Sequence, residues 1–173
     1  IEGIRFPLGE LDGKVSRRAK ALSDMLMGAG LKSPVLEDIR SEIWLKAWGN
    51  LAFNPVSALT HATMAEIATY SPTRDYVASL MSEAEQVADK LGVSFRVPME
   101  RRLQGAEKVG GHKTSMLQDA LAGRPMELDA ILGSILELGT LTGVEMPNLS
   151  SLYALCSLRN KVNLQESGAE KQA

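Results

Sequence analysis

A row of four polar side chains on an otherwise apolar segment has the residue types and spacing for chemistry. The pattern IWLKAWGNLAFNPVSAL, residues 43–59, predicts a helix that is apolar on nearly every side and therefore buried. Its polar residues with this spacing are Lys46, Asn50, Asn54 and Ser57. On a helix they fall within an arc of roughly 80°, so all four side chains point the same way. We call these four residues the Lys46 row.

A lysine in a buried row needs a counter-charge, because burial without one favours the neutral amine. Glu127 is the candidate, since it opens a second apolar helix and should lie at the edge of the core. We therefore expect Lys46 to be enclosed, protonated and close to the Glu127 carboxylate. A protonated lysine that faces a cavity can donate a proton or hold an anionic or carbonyl substrate.

A second polar group lies around residues 113–127, where Ser115 and Asp119 share one face of a short predicted helix. A purely structural interpretation stays open for both groups. A lone lysine often extends to solvent along its aliphatic chain, and single asparagines often cap backbone groups. Considered alone, Ser115 and Asp119 are typical of a surface. The narrowness of the Lys46 row, by contrast, favours function, since a solvated helix face is usually wider.

Composition excludes several other classes of function. The net charge of −2 provides no basic field for nucleic acid or an anionic membrane, and the apolar runs are too short for a membrane span. Cys156 is the only cysteine, which rules out an intrachain disulfide and favours a reducing, cytoplasmic setting. His61 and His112 have no partners at metal-ligand spacing, so no metal site is predicted. We expect a soluble domain.

The remaining pattern predicts an all-α fold preceded by one β-strand. Residues 4–8 alternate between apolar and other residues, as a half-buried strand does. No convincing second strand follows, so its pairing partner is expected in a missing N-terminal portion, in another chain, or nowhere at all. We divide the chain into an end of a preceding domain at 1–12, a helical domain at 13–166 and a flexible tail at 167–173. A kink or break is expected at Pro55.

Four stretches resemble the ketopantoate reductase family. The pattern W-x-K-x-x-x-N-x-x-x-N-P resembles the opening of that family's C-terminal domain. It is formed here by Trp44, Lys46, Asn50, Asn54 and Pro55. The segment KTSMLQDALAGRPMELDAI, residues 113–131, resembles the family's S-M-x-Q-D…G-R-x-x-E-x-D motif. RFPLGELDGK is similar to the last strand of its dinucleotide-binding domain, and TGVEMPNLSSLYAL to its closing helix.

The resemblance implies both a fold and an activity. The fold is the all-helical C-terminal domain shared with relatives of 6-phosphogluconate dehydrogenase, here preceded by one orphan strand from a missing Rossmann domain. The activity is that of an NADPH-dependent 2-dehydropantoate 2-reductase, which reduces ketopantoate to pantoate for pantothenate and coenzyme A synthesis.

The resemblance also implies roles for individual residues. Lys46 is the general acid that protonates the keto oxygen as hydride arrives from the nicotinamide. Glu127 orients the lysine, the cofactor or the substrate. The residues that bind the substrate are Asn50, Asn54 and Ser115, with Asp119 in the same motif.

Two departures from the family pattern leave alternatives open. The G-x-G-x-x-G turn and its Rossmann sheet are absent, so this chain lacks most of the NADPH site and is expected to be inactive alone. Met64 stands where some members carry a third substrate-binding asparagine, which leaves a different 2-oxo acid as an alternative substrate. A non-catalytic helical dimerisation module is the third interpretation, and a homodimer is compatible with all of them.

Overall fold

The computed structural model describes the backbone of residues 4–170 and the side chains of residues 4–165. Within this part of the chain there are eight α-helices and one π-helical turn, which confirms the predicted all-α class. In chain order they are α1 Arg17–Gly28, α2 Ile39–Thr60, α3 Met64–Thr69, α4 Ser71–Lys90, α5 Met99–Glu107, α6 Ser115–Leu121, the π-turn Asp129–Gly133, α7 Ser134–Thr142 and α8 Pro147–Glu170. None of these helices is long and apolar enough to cross a bilayer. The chain forms two compact units, Ile1–Leu45 and Lys46–Ala173.

In the first unit, residues 4–8 run parallel to residues 32–36, with isolated bridges at residues 5 and 32 and at residues 8 and 35. The N–H of Leu8 donates to the carbonyl of Pro34 at 2.9 Å, and the N–H of Leu36 donates to the carbonyl of Leu8 at 2.7 Å. The expectation that this strand finds no partner downstream is therefore wrong. The sequence does not reveal residues 32–36 as a strand, because Pro34 interrupts the alternation of apolar and polar residues. The pairing tolerates this proline, since it uses only the carbonyl of Pro34.

Helix α1 connects the two extended segments of the first unit. It begins at Arg17, because the Ser16 side chain caps it by accepting the N–H of Ala19 at 3.1 Å. Upstream, hydrogen bonds from Arg18 and Ser16 hold the pKa of the Glu10 carboxyl at about 2. Glu10 thus ties the turn before α1 to the helix itself.

The core of the second unit forms around α2 and α4. Trp48 is fully buried, stacks on Phe95 at a ring-centroid distance of 4.2 Å, and donates its indole N–H to the carbonyl of Met81 at 2.7 Å. Helix α4 also packs against α3, α5, α7 and α8. Of the kink or break predicted at Pro55, the break does not occur, since α2 continues to Thr60. Residues 51–58 are all buried, and this packing holds the helix together across the proline.

The apolar helix predicted to open at Glu127 is divided in the structure into the π-turn and α7. Leu132 and Ile135 are buried, but Leu141 is 75% exposed, so the far end of α7 reaches solvent. Gly143, in the left-handed conformation at φ 70°, ends α7. Helix α8 reaches Glu170 and so includes the start of the predicted tail, of which residues 171–173 lie outside the described part.

Candidate functional site

The structure places the Lys46 row along the part of α2 that belongs to the second unit. Exposure falls steadily along it: Lys46 is exposed, Asn50 is half-buried, Asn54 is 6% exposed and Ser57 is fully buried. The row therefore runs from the surface into the core. The expectation that Lys46 is enclosed is therefore wrong. Residues 43–59 are apolar on average, but only the later part of this stretch lies in the core, and Lys46 comes before that part.

The expected ion pair between Lys46 and Glu127 is also absent from the described residues. Both side chains are exposed, and no ion pair joins them. A solvated ammonium and a solvated carboxylate have no burial penalty to offset, so neither requires the other as a partner. Any joint action of the two groups requires a ligand between them or a movement of their side chains.

Asn54 is the residue of the row whose surroundings point most directly to a ligand. Its side chain is 6% exposed, yet its amide makes no hydrogen bond to any described residue. No fully enclosed polar side-chain atom lacks a partner in the described part of the chain, so the Asn54 amide is not sealed off from solvent. A nearly buried amide whose donors and acceptor are not used by the described residues is open to a ligand or to water.

Ser57, at the buried end of the row, has a structural task. Its hydroxyl donates to the carbonyl of Ala62 at 2.5 Å and so closes the loop from α2 to α3. In that loop His61 adopts a left-handed backbone with φ 61°, which is uncommon for a residue with a side chain. The residues of the row that remain available to a ligand are therefore Lys46, Asn50 and Asn54.

Helix α6 carries Ser115 and Asp119, the second predicted group. One of these two side chains is available to a ligand and the other has a structural task. The buried Thr114 caps the helix by accepting the N–H of Leu117 at 3.2 Å. Ser115, on the first turn, is exposed. Its hydroxyl makes no hydrogen bond to another described residue. The Asp119 carboxylate accepts two hydrogen bonds from Arg124, at 2.9 and 2.6 Å. Ser115 is free to bind a ligand, whereas Asp119 stabilises the turn after α6.

Glu127 lies at a tight turn just before the π-turn. The N–H of Leu128 donates to the carbonyl of Met126 at 2.8 Å, which makes Glu127 the central residue of a γ-turn-like bend. Two side chains of α8 hold the flanks. Asn160 accepts the N–H of Met126 at 3.0 Å, and Tyr153 donates to the Asp129 carboxylate at 2.5 Å, a hydrogen bond that raises the Tyr153 pKa.

Sequence reasoning missed Tyr153 and Asn160, although one signal was available. Polar residues recur on one face of α8 among apolar ones, the same kind of pattern that revealed the Lys46 row. The π-turn itself, a feature often found at functional sites, has no comparable signature in the sequence.

The described residues can be compared with what a metal ion and the diphosphate of a dinucleotide each require. They contain no cluster of three or more histidine, cysteine or acidic side chains arranged to hold a metal ion. The turn before α1 does not fit the diphosphate of a dinucleotide. It carries two carboxylates, Glu10 and Asp12, and Ser16 already caps the helix that a diphosphate would approach.

Comparisons of sequence and of structure with known proteins both relate this chain to ketopantoate reductases. Residues 38–160 match the family described as "Ketopantoate reductase PanE/ApbA C terminal", a range that includes every predicted site residue. The 2-dehydropantoate 2-reductase of Mesorhizobium japonicum is 48% identical over 155 residues, which cover 90% of this chain and 48% of that protein. The chain spans about half the length of the curated relatives it matches.

Two solved structures show the fold. That of 2-dehydropantoate 2-reductase from Methylococcus capsulatus aligns with a TM-score of 0.81 and 35% identity over 92% of this chain and 55% of that chain. D-mandelate dehydrogenase, solved as a ternary structure with NADH and anilino(oxo)acetate, aligns with a TM-score of 0.82 and 26% identity over 92% of this chain and 67% of that chain.

Proposed function

This chain belongs to the ketopantoate reductase family, whose C-terminal domain it matches, and on that premise we propose that it forms the substrate-binding part of a 2-oxo acid reductase acting on ketopantoate. The family resemblance read from the sequence is thereby confirmed. The observation that carries the proposal is Asn54, nearly buried and without a hydrogen bond in the described residues, on the same side of α2 as Asn50 and Lys46.

The spacing of the row suits a small 2-oxo acid. Lys46, Asn50 and Asn54 follow one another at intervals of four residues, which is about 6 Å along a helix. A substrate whose keto, carboxylate and hydroxyl oxygens lie a few ångströms apart can bond neighbouring members together. We assign the keto oxygen to Lys46, at the exposed end, and the remaining substrate oxygens to Asn50 and Asn54, with Ser115 as a further donor.

In this scheme Lys46 supplies the proton of the reduction. NADPH, when bound, would supply the hydride for the keto carbon. The Lys46 ammonium gives one proton to the keto oxygen, so that the product is the 2-hydroxy acid and the lysine is left as a neutral amine. Exposure of Lys46 has a use here, because the amine can regain its proton directly from solvent. Glu127 is assigned to orienting the cofactor, the substrate or the lysine, and Asp119 acts on the substrate region through the turn that it holds with Arg124.

The cofactor site is proposed to lie mainly in an N-terminal Rossmann domain of the full-length chain. The first unit supports this assignment, because two parallel extended segments joined through α1 are the connection that dinucleotide-binding sheets use. It follows that the 173-residue chain alone should not reduce ketopantoate. A cytoplasmic setting, a place in pantothenate and coenzyme A synthesis, and a homodimer belong to the same proposal.

A second candidate substrate has support of its own. Met64, the first residue of α3, offers an apolar thioether where some family members carry a third substrate asparagine. D-mandelate dehydrogenase shares the fold. Both observations favour an alternative in which the substrate is a 2-oxo acid with an apolar side chain and no hydroxyl.

Substrate profiling of the full-length protein decides between these candidates. NADPH oxidation would be measured with ketopantoate, 2-oxoisovalerate and phenylglyoxylate, using wild type beside Asn54→Ala. We expect the highest kcat/KM with ketopantoate and a loss on substitution of Asn54. A tenfold preference for either hydroxyl-free acid would transfer the assignment to the second candidate. Absence of turnover with all three acids would favour the dimerisation module.

A further inference from the structure

One face of α8 carries polar side chains that bind the segments on which the candidate site is built. The residues recur at spacings of three, four and three, which places them within an arc of roughly 80°. We call them the α8 row: Tyr153, Cys156, Asn160 and Asn163. Cys156 and Asn163 are buried, so this face points into the second unit.

Each member of the α8 row bonds a different segment. Besides the contacts of Tyr153 and Asn160 given above, the Cys156 thiol donates to the carbonyl of Pro55 at 3.8 Å. Asn163 donates to the carbonyl of Ala120 in α6 at 3.3 Å. Pro55 directly follows Asn54 in the chain. One helix thus contacts α2 beside Asn54, α6 beyond Ser115, and both flanks of Glu127.

The contact of Asn160 has the most direct consequence for a site residue. It accepts the N–H of Met126, while the carbonyl of Met126 accepts the N–H of Leu128. Both polar groups of Met126 are therefore held, and Met126 itself is 6% exposed. These bonds fix the backbone on both sides of the bend whose centre is Glu127, and so fix the direction in which the Glu127 side chain leaves the chain.

Asn160 is the side chain that bonds the Met126 backbone, while the Glu127 carbonyl itself accepts the N–H of Ile131 at 3.1 Å. The Glu127 side chain is exposed and makes no hydrogen bond or ion pair to the described residues, so its direction depends on its backbone alone. We infer that Asn160 is a positioning residue, which orients the Glu127 carboxylate through the Met126 peptide. The inference rests on the proposed function, in which Glu127 faces the substrate or cofactor.

The chain provides a matched control for testing this role. Asn160→Ala and Asn163→Ala each remove one side-chain hydrogen bond to a backbone group from the same face of the same helix. Asn163 is buried and Asn160 is half-buried, so Asn163→Ala should reduce stability at least as much as Asn160→Ala. Only Asn160→Ala releases the bend at Glu127, and a misplacement of about 1 Å near the chemistry can cost up to about 100-fold in rate.

The experiment measures kcat/KM of the full-length protein for ketopantoate in a double-mutant cycle of Asn160→Ala with Glu127→Gln. We expect Asn160→Ala to lower kcat/KM by about 10- to 100-fold and to add little once Glu127 has been replaced, because the two changes act on one group. Asn160→Asp retains the acceptor oxygen for Met126 and should recover most of the loss. A full additional loss in the Glu127→Gln background, or an equal loss in Asn163→Ala, would overturn the inference.

Hydrogen exchange separates failure of the inference from failure of the proposed function. If wild type reduces no 2-oxo acid, the proposed function fails, but the structural claim is still measurable at the Met126 amide. We expect that amide to exchange faster in Asn160→Ala than in wild type, and at an unchanged rate in Asn163→Ala. Equal rates at Met126 in wild type and Asn160→Ala would show that Asn160 does not hold this bend.

Discussion

Replacing Glu83 with glutamine should destabilise the second unit, because this carboxylate caps α8 from another helix. Glu83 lies on α4 and is 6% exposed. One of its oxygens accepts the backbone N–H of Asn148 at 2.9 Å and the side-chain amide of Asn148 at 2.7 Å. The other accepts the N–H of Leu149 at 2.9 Å. Three donors from the first turn of α8 therefore converge on one buried anion, at the end of the helix that favours negative charge.

The size of the effect follows from these contacts. A glutamine can accept with only one oxygen, and its NH₂ group would face at least one of the same donors. At least one hydrogen bond to a charged group is lost, worth about 1.5–3 kcal/mol, and a buried N–H is left unsatisfied. We therefore expect Glu83→Gln to lower the free energy of unfolding by about 2–4 kcal/mol.

Urea unfolding of the full-length protein measures this change, with Asp89→Asn as the control. Asp89 is an exposed acidic residue on the same helix, so its replacement should alter stability by no more than about 0.5 kcal/mol. If Glu83→Gln shifted the unfolding free energy as little as the control does, the buried cap could not stabilise α8, and the reasoning would be refuted.

Three further predictions concern other parts of the chain. Burial raises the pKa of Cys156 to about 12, so iodoacetamide at pH 8 should label this thiol far more slowly in the native protein than in urea. Mass spectrometry measures the labelling, and rapid labelling of the native protein would contradict the burial of Cys156. A Cβ at Gly9 would lie 2.6 Å from the Cβ of Ile39, so Gly9→Ala should cost about 1–3 kcal/mol, and an unchanged Tm would count against this close approach. The pKa of Glu10, about 2, lies below its unfolded value, so its stabilisation is present above that unfolded value and is lost as pH falls towards 2. Glu10→Gln should flatten the loss of stability between pH 5 and pH 3 in urea titrations, and identical pH slopes would contradict the prediction.

Much of the fold could be predicted because its signals are local. The capping box of Thr63 and Glu66 sets the start of α3, and Asp38 accepts the N–H of Ser41 at 3.0 Å at the start of α2. Such caps depend on residues three positions apart, which a sequence displays directly. The pairing of residues 4–8 with residues 32–36 is not local, and Pro34 conceals it.

The Lys46 row shows which part of a site the sequence reveals and which part it does not. Helical spacing gives the direction of a side chain around the axis, and that part of the prediction needs no tertiary information. Depth along the axis depends on where other helices pack. The same pattern therefore placed Lys46 and Asn54 on one side of α2, but could not show that Lys46 is exposed and Asn54 nearly buried.

The positioning contacts were out of reach for a related reason. Asn160 and Met126 are 34 residues apart, and their hydrogen bond joins a side chain to a backbone N–H. Because every residue except proline has such an N–H, the residue type at position 126 does not indicate the bond. The bend at Glu127 likewise depends on backbone geometry, and its sequence resembles the start of an ordinary apolar helix. Chemistry carried by side chains is visible in a sequence, whereas the support that orients those side chains is mostly backbone.

The measurement that tests the central claim most directly is the single-turnover rate of NADPH oxidation with ketopantoate by the full-length protein, comparing wild type, Lys46→Ala and Lys90→Ala. Lys90, in the last turn of α4, is an exposed lysine with no assigned role. If Lys46 donates the proton, Lys46→Ala should slow the step by about 10²- to 10⁴-fold while Lys90→Ala stays at the wild-type rate. A loss of less than about tenfold in Lys46→Ala, below the range for a positioned general acid, would contradict the account.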